Sequence, residues 1–252
     1  MAFLTDKPQE VCRDHYLLKI DIDQKNSSPG QFANIKIGEN DPLLRRPFSI
    51  FNHNGNIIDI VFKVVGKGTT LLRDINKTGY IDVIAPLGKG FTITENKKAL
   101  LIGGGVGNAP LYYLAKMLRN NKNEVHYLYA AKAKEFIFKK KEFKSLADKF
   151  FLCTDDGSDG EKGLAGDVAL EILQKEKYDI TYTCGPAIMM KNIVNIVQNF
   201  ETPIEVSLEN YFGCGIGLCY GCTVETTDGM KRACINGPVL DGKKILWDSL
   251  VQ

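Results

Sequence analysis

The sequence lacks several features by which common classes of protein are recognised. It has no uninterrupted apolar stretch long enough to cross a bilayer, and its first residues reach Asp6 without forming an apolar signal core. Basic and acidic residues nearly balance, 32 against 30, so the clustered basic excess of a nucleic-acid-binding protein is missing. The sequence therefore predicts a cytoplasmic protein with no membrane or nucleic-acid partner.

Histidine is also scarce, which bears on catalysis by proton transfer. His15, His53 and His126 are the only histidines, and they are far apart in the sequence. None of them belongs to a motif in which an imidazole acts as general acid or base. We therefore predict structural or surface roles for all three, and we predict no catalytic side chain.

Cysteine, in contrast, is concentrated in one segment. Four of the seven cysteines lie close together near the C-terminal end, at Cys214, Cys219, Cys222 and Cys234. The first three have the C-x4-C-x2-C spacing of plant-type [2Fe–2S] ferredoxins, in which all four ligands are thiolates. The intervening glycines allow a chain to curl around a small cluster and to direct N–H groups at sulfur; they are Gly213, Gly215, Gly217 and Gly221.

Zinc is the alternative occupant of such a segment. Zinc ribbons usually supply two C-x2-C pairs, and only Cys219 and Cys222 form one here. The stretch "CTVETTDGMKRAC" has Asp228–Gly229 between two β-prone runs, which predicts a tight hairpin that returns Cys234 toward the other three. The spacing and the glycines together favour the iron–sulfur cluster.

Hydrophobic periodicity divides the chain into three regions. Up to residue 96, runs such as "HYLLKIDI", "QFANIKI" and "NIIDIVFKVV" predict short strands of a closed barrel or sandwich, with one short helix at "GTTLLRDI". From residue 97, strands alternate with helices, including one at "KEFIFKKKEFKSLA", which predicts a parallel sheet covered on both faces. We thus predict an α+β multi-domain protein with an antiparallel β-barrel (1–96), an α/β nucleotide-binding domain (97–203) and a small [2Fe–2S] domain (204–252).

A glycine-rich turn marks the candidate nucleotide site. "GGGVGNAP" (103–110) joins a strand to a helix, where backbone N–H groups favour a phosphate. Asn108 replaces the last glycine of the G-x-G-x-x-G fingerprint, and tight packing without a ligand is the alternative interpretation. "TCGPAIM" follows another strand of the same sheet, at the edge where such sheets bind ligands.

The barrel region contains a second set of candidates. In "LLRRPFSI", Arg45 and Arg46 suit a pyrophosphate, Phe48 can stack on a flavin ring and Ser49 can donate a hydrogen bond near it. In "VGKGTTLL", Gly66, Gly68 and Thr69 begin a short helix whose backbone could bind an anion. Each stretch alone is typical of an ordinary loop, and together they indicate a flavin site.

These motifs carry a family resemblance over essentially the whole chain. "RRPFS", "FKVVGKGT", "GGGVGNAP" and "CGP" occur in the order of the ferredoxin-reductase superfamily. The tail "LENYFGCGIGLCYGCTVETTDGMKRACINGPVLDG" resembles more closely the electron-transfer subunits of type B, NAD-dependent dihydroorotate dehydrogenase.

The resemblance implies a set of binding residues. It implies FAD contacts at Arg46, Pro47, Phe48, Ser49, Val61, Phe62, Lys63, Gly68 and Thr69. It implies NAD contacts at Gly104, Gly105, Gly107, Asn108, Ala109, Cys184, Gly185 and Pro186. The ligands of the cluster would be Cys214, Cys219, Cys222 and Cys234. Phe48 stands where many members of the superfamily have tyrosine, and the lysines of "AAKAKE" replace an arginine that reads a 2′-phosphate, which favours NAD over NADP.

The resemblance also implies a partner and a role. An FMN-containing catalytic subunit would oxidise dihydroorotate, and the two subunits would form a heterotetramer with two copies of each. Electrons would pass through the cluster and FAD to NAD+, in pyrimidine biosynthesis. A reductase subunit of a hydrogenase or of a sulfur- or sulfite-reducing enzyme is one alternative, and a zinc-stabilised nucleotide-binding module without a redox role is another.

Overall fold

The computed structural model describes residues 2–38, 41–76 and 78–250. Outside the described residues lie 1, 39–40 and 77 of the predicted first domain and 251–252 of the predicted third domain. Among the helices that are described, none is long and apolar enough to cross a membrane.

The N-terminal region folds into two antiparallel sheets. Its elements are β1 (Phe3–Leu4), β2 (Gln9–Cys12), β3 (His15–Asp21), β4 (Phe32–Ile35), β5 (Arg46–Ser49), β6 (Asn52–Asn54), β7 (Ile57–Lys63), α1 (Lys67–Arg73), β8 (Gly79–Tyr80) and β9 (Val83–Leu87). One sheet has the order β6-β7-β3-β1-β8 with β2 beside β3, and the other has the order β5-β4-β9. Where one closed barrel was predicted, the hydrogen bonds thus define a six-stranded and a three-stranded sheet.

The middle region forms a mostly parallel sheet. Its elements are β10 (Lys98–Gly104), α2 (Asn108–Asn120), β11 (Glu124–Ala131), α3 (Lys140–Leu146), β12 (Lys149–Thr154), β13 (Glu161–Lys162), α4 (Ala165–Lys175), β14 (Ile180–Cys184), α5 (Ala187–Gln198) and β15 (Ile204–Ser207). Alternate strand residues feed two cores: Leu101 and Tyr127 pack with α2 and α3, whereas Leu100 and Leu128 pack with α4 and α5. This two-faced burial explains why these strands are almost continuously apolar.

The C-terminal region is an excursion from the edge of that sheet. It contains β16 (Thr223–Thr226), β17 (Gly229–Arg232), α6 (Ala233–Asn236) and β18 (Val239–Asp241). The sheet has the order β13-β12-β11-β10-β14-β15-β18, and β18 runs antiparallel to β15. β15 also pairs in parallel with β14. These two hydrogen-bonded strands lie on opposite sides of the predicted boundary between residues 203 and 204, so that boundary divides one sheet.

Two local predictions are wrong in detail. In place of one helix over "KEFIFKKKEFKSLA", a 3-10 turn covers Lys134–Phe136 and α3 begins only at Lys140. The interruption has a physical cause, because Phe138 is fully buried and Lys139 has a left-handed φ of 51°. The predicted hairpin exists, but Thr226 pairs with Gly229, so its turn residues are Thr227 and Asp228.

All three histidines are buried, so none lies on the surface. His126 is fully buried, with Nδ1 at 2.7 Å from the Tyr178 hydroxyl and Nε2 at 2.8 Å from Glu124 Oε1. Burial lowers the pKa of His126 and that of His15. His53 is also buried, and its Nδ1 lies 2.8 Å from the Ser27 hydroxyl oxygen.

Asn123 joins the start of the parallel sheet to α2, and its removal tests this region. Its amide accepts from Thr94 Oγ1 at 2.9 Å and from the Lys97 backbone N–H at 3.1 Å, and it donates to the Leu118 carbonyl at 2.9 Å. Asn123→Ala removes these three hydrogen bonds, each worth about 1 kcal/mol, so we expect a loss of about 3 kcal/mol in the free energy of unfolding. Urea denaturation measures this loss.

The control is Asn195→Ala on the exposed face of α5. That substitution is expected to change the unfolding free energy by no more than about 0.5 kcal/mol. Equal losses in the two variants would contradict the role assigned to Asn123.

Candidate functional site

The cysteine loop arranges its four thiols in two pairs. Cys222 Sγ and Cys234 Sγ are 3.2 Å apart. Cys214 and Cys219 form the other pair, because the N–H of each donates to the sulfur of the other at 3.3 and 3.4 Å. Among the described residues, no three cysteine sulfurs all lie within 4.8 Å of one another.

This pairing discriminates between the two candidate occupants. Tetrahedral zinc, with Zn–S bonds of about 2.3 Å, would hold all four sulfurs about 3.8 Å from one another. A [2Fe–2S] cluster takes two thiolates on each iron and so separates the pairs. All-thiolate donors in a two-plus-two arrangement therefore fit the binuclear cluster and do not fit a single zinc ion.

Backbone N–H groups converge on the sulfurs. Leu218 N donates to Cys214 Sγ at 3.3 Å, and Gly221 N donates to Cys219 Sγ at 3.5 Å. Hydrogen bonds from the backbone, first among them that of Ile216, lower the pKa of the Cys214 thiol to about 6. Burial instead raises the pKa of Cys234 to about 12. The N–H groups around Cys214 thus stabilise the thiolate, which is the form that binds metal.

Two of the four loop glycines are required by the backbone conformation. Gly215 and Gly217 have φ values of +73° and +84°. A side chain at Gly215 would also meet Asn34 Nδ2 at 2.3 Å, and one at Gly217 would meet Ile235 Cγ1 at 2.6 Å. The curl that was predicted from glycine content is therefore located at these two positions.

Asn34 connects the cysteine loop to the N-terminal sheets, and the sequence analysis missed it. It lies on β4, is fully buried, and donates from Nδ2 to the Cys214 carbonyl at 3.1 Å. A ring contact reinforces the connection, because Phe32 and Phe212 meet at 4.9 Å between centroids. The one available signal was a polar residue inside the apolar run "QFANIKI".

The two neighbouring arginines of β5 and its preceding loop have different roles. Arg45 Nη2 donates to both carboxylate oxygens of Asp82, each at 2.8 Å. Arg46 contacts the Leu44 carbonyl at 2.7 Å and lies against Gly68, where a Cβ would be 3.2 Å from Arg46 Nε. In the described part of the chain Arg46 pairs with no carboxylate, so it is the arginine available to a phosphate.

The other predicted flavin residues differ in how far their side chains are exposed. All four residues of β5, including Pro47, Phe48 and Ser49, are half-buried, which suits a strand that is covered by a flat ring. The side chains of Val61 and Phe62 are buried in the core, so any contact of theirs with a ligand would come from the backbone.

Lys63 and Thr69 complete that set. Lys63 is exposed, with its ammonium 5.5 Å from the centre of the Phe136 ring. The Thr69 hydroxyl accepts from the N–H groups of Val65 and Gly66 at 2.9 and 3.1 Å and so secures the start of α1. Gly68 is buried and adjoins Arg46 as described above.

The glycine-rich turn brings the predicted nucleotide residues together at the ends of β10 and β14. Gly103 is paired in register with Cys184. A side chain at Gly107 would meet the Cys184 carbonyl oxygen at 2.5 Å. Asn108 is fully buried and donates to the Gly105 carbonyl at 2.9 Å, and Ala109 is buried beside it. These residues shape the turn rather than present side chains to a ligand.

Part of the glycine-rich turn is half-exposed in the crevice between the ends of β10 and β14, and the rest is buried. Gly105 has a φ of +56° and faces open space, because no atom lies within 4 Å of the position that a Cβ would occupy. Met189, which the sequence analysis missed, lies against the predicted residues Gly104 and Gly185, whose Cβ atoms would meet its side chain at 2.4 and 2.6 Å. Pro186 is exposed beside them. Gly105 and Pro186 are therefore accessible members of the predicted set, and Met189 packs against both strand ends.

Similarity to known proteins decides the family. A protein of Desulforamulus reducens named dihydroorotate dehydrogenase B (NAD(+)), electron transfer subunit, is 38% identical over 87% of each chain. A protein of Fusobacterium nucleatum with the same name is 37% identical over 91% of this chain and 92% of its own. This chain belongs to the same family. Residues 209–246 match the iron-sulfur cluster binding domain of dihydroorotate dehydrogenase B, and residues 101–195 match an oxidoreductase NAD-binding domain.

One solved structure has the same fold as this member of the dihydroorotate dehydrogenase B family. A chain of an NADH-dependent reduced ferredoxin-NADP oxidoreductase is 35% identical and superposes with a TM-score of 0.88, over 97% of this chain and 89% of its own. The fold is therefore of the ferredoxin-reductase type, with a C-terminal iron–sulfur binding region.

Removal of one cysteine tests the cluster site. Cys222→Ser takes away one thiolate of the buried pair, so we expect loss of most of the iron and acid-labile sulfide from anaerobically purified protein. Chemical assays of both elements, with the visible spectrum, measure the result. Cys12→Ser, on β2, is the matched control and should leave both contents unchanged; wild-type protein that contains zinc but no labile sulfide would refute the assignment.

Proposed function

We propose that this chain carries electrons between an FMN-containing dihydroorotate dehydrogenase catalytic subunit and NAD+, in de novo pyrimidine (UMP) biosynthesis. The two-plus-two arrangement of the cysteine thiols is the observation that carries the proposal most directly. The names of the relatives support the identity of the partner and of the acceptor. A flavin exchanges electron pairs with nicotinamide and single electrons with an iron–sulfur cluster, so FAD between the two sites supplies the necessary conversion.

The residues of this chain bind and orient these groups. Cys214 and Cys219 would hold one iron, and Cys222 with Cys234 the other. Arg46, which no described carboxylate neutralises, would bind the FAD pyrophosphate. Phe48 and Ser49 would contact the isoalloxazine from the half-buried face of β5.

Nicotinamide nucleotide would bind where β10 and β14 end. The start of α2, preceded by the turn in which Gly105 faces open space, favours a pyrophosphate. β10 and β14 are neighbours from which the chain continues in opposite directions across the sheet, and such crevices bind ligands in open α/β folds. We propose NAD rather than NADP as the substrate, because "AAKAKE", at the end of β11, offers lysines and no arginine.

We propose three functional units for this activity. Residues 1–96 would bind FAD as a barrel built from the two antiparallel sheets, residues 97–203 would bind NAD, and residues 204–252 would hold the cluster and contribute β15 and β18 to the NAD sheet. A cytoplasmic heterotetramer with two copies of each subunit is the proposed assembly.

Assays of the isolated chain test the division of labour. The chain reconstituted with FAD and cluster should reduce an artificial dye with NADH, because all the proposed electron-transfer groups are within it. It should not oxidise dihydroorotate, since that oxidation is assigned to the FMN-containing partner subunit. Spectrophotometry of both reactions gives the result, and turnover of dihydroorotate without a partner would overturn the proposal.

A second experiment, on protein purified from its native cell, identifies the partner. Affinity purification of the full chain from its native cell should retain an FMN protein, and the pair should then oxidise dihydroorotate with NAD+. Recovery of a hydrogenase or a sulfur-reducing enzyme in its place would favour the alternative reductase function.

A further inference from the structure

We propose that Arg232 is a positioning residue that raises the reduction potential of the cluster through the peptide group between Gly217 and Leu218. The inference rests on the proposed function, because it assumes a [2Fe–2S] cluster on the four cysteines. It adds a side chain outside the ligand set to the machinery of electron transfer.

A single peptide group connects the guanidinium to a ligand. Arg232 Nη1 donates to the Gly217 carbonyl at 2.6 Å. The N–H of that same peptide belongs to Leu218, and it donates to Cys214 Sγ at 3.3 Å. The carbonyl end of the peptide therefore meets a fixed positive charge, while its N–H end meets a sulfur that would bind iron.

This arrangement acts on the cluster in two ways. The guanidinium fixes the orientation of the peptide, so that the N–H stays directed at sulfur. It also polarises the peptide, and a polarised peptide is a stronger donor because hydrogen bonds in a chain reinforce one another. Reduction adds a negative charge to a group already bound by four thiolates, so stronger donation to sulfur favours the reduced form and raises the potential.

The surroundings keep Arg232 in this position. The Tyr220 ring lies over the guanidinium, 4.8 Å from ring centre to Cζ. The Arg232 backbone N–H donates to Asn236 Oδ1 at 2.9 Å. The guanidinium contacts the carbonyl and the ring but no carboxylate within the described residues, so its charge is not neutralised there.

Three variants of the full chain, loaded with FAD and cluster, test the role. Arg232→Gln removes the positive charge and the planar set of N–H donors of the guanidinium. Arg232→Lys keeps the charge on a flexible stem. Lys231→Gln is the matched control, because it removes one positive charge from the adjacent position of β17, and adjacent strand residues point to opposite faces. Redox titration followed by electron paramagnetic resonance of the cluster gives the midpoint potential of each variant.

We expect Arg232→Gln to lower the ratio of reduced to oxidised cluster about tenfold at a fixed potential, a negative shift of about 60 mV for one electron. Arg232→Lys should recover part of the shift, and Lys231→Gln should shift the potential by less than half as much. If Arg232→Gln loses its cluster, Arg232→Lys alone must still shift negatively relative to Lys231→Gln.

Two results separate this inference from the proposed function. A full complement of iron and sulfide in Arg232→Gln, with a potential equal to that of Lys231→Gln, would overturn the inference and leave the proposed function standing. Wild-type protein without iron and labile sulfide would overturn both.

Discussion

The cysteine loop can hold its sulfurs only if its backbone N–H groups turn inward, and this requirement determines much of what surrounds it. The inward turn places Gly215 and Gly217 in the left-handed region, and it leaves carbonyl groups pointing outward that need partners of their own. Asn34 donates to the carbonyl of Cys214, and Arg232 donates to that of Gly217. The donors that stabilise thiolates inside the loop and those that satisfy carbonyls outside it are two parts of one hydrogen-bonding scheme.

The same scheme relates the loop to the candidate flavin surface. Asn34 occupies the central strand of the three-stranded sheet, and β5, with its half-buried face, is the next strand. Pro47 is opposite Asn34 in register. The hydrogen bond that anchors Cys214 therefore starts from a residue paired with one of the candidate flavin contacts. The cysteine loop and the proposed flavin contacts are in this way connected through the adjacent strands β4 and β5.

Sequence patterns predicted most elements, because periodicity and glycine-rich turns are local signals. They were sufficient for the alternation of strands and helices that begins at residue 97. They failed where tertiary packing decides. The burial of Phe138 delays α3, and the pairing of β15 with β14 extends the central sheet beyond residue 203. Side chains that act on another element, such as Asn34 and Met189, leave almost no trace in a single sequence.

Ser207 and Val239 lie opposite each other on β15 and β18. The chain thus leaves the sheet and returns to it at the same place, and residues 208–238 form a cassette with both ends fixed side by side. An insertion of this kind imposes little topological constraint on its host, since a short turn could close the two strands equally well. Val224 and Ala233 of the cassette nevertheless share one core with Leu100 of β10 and Ile193 of α5, so the cassette belongs to the same folded unit as its host.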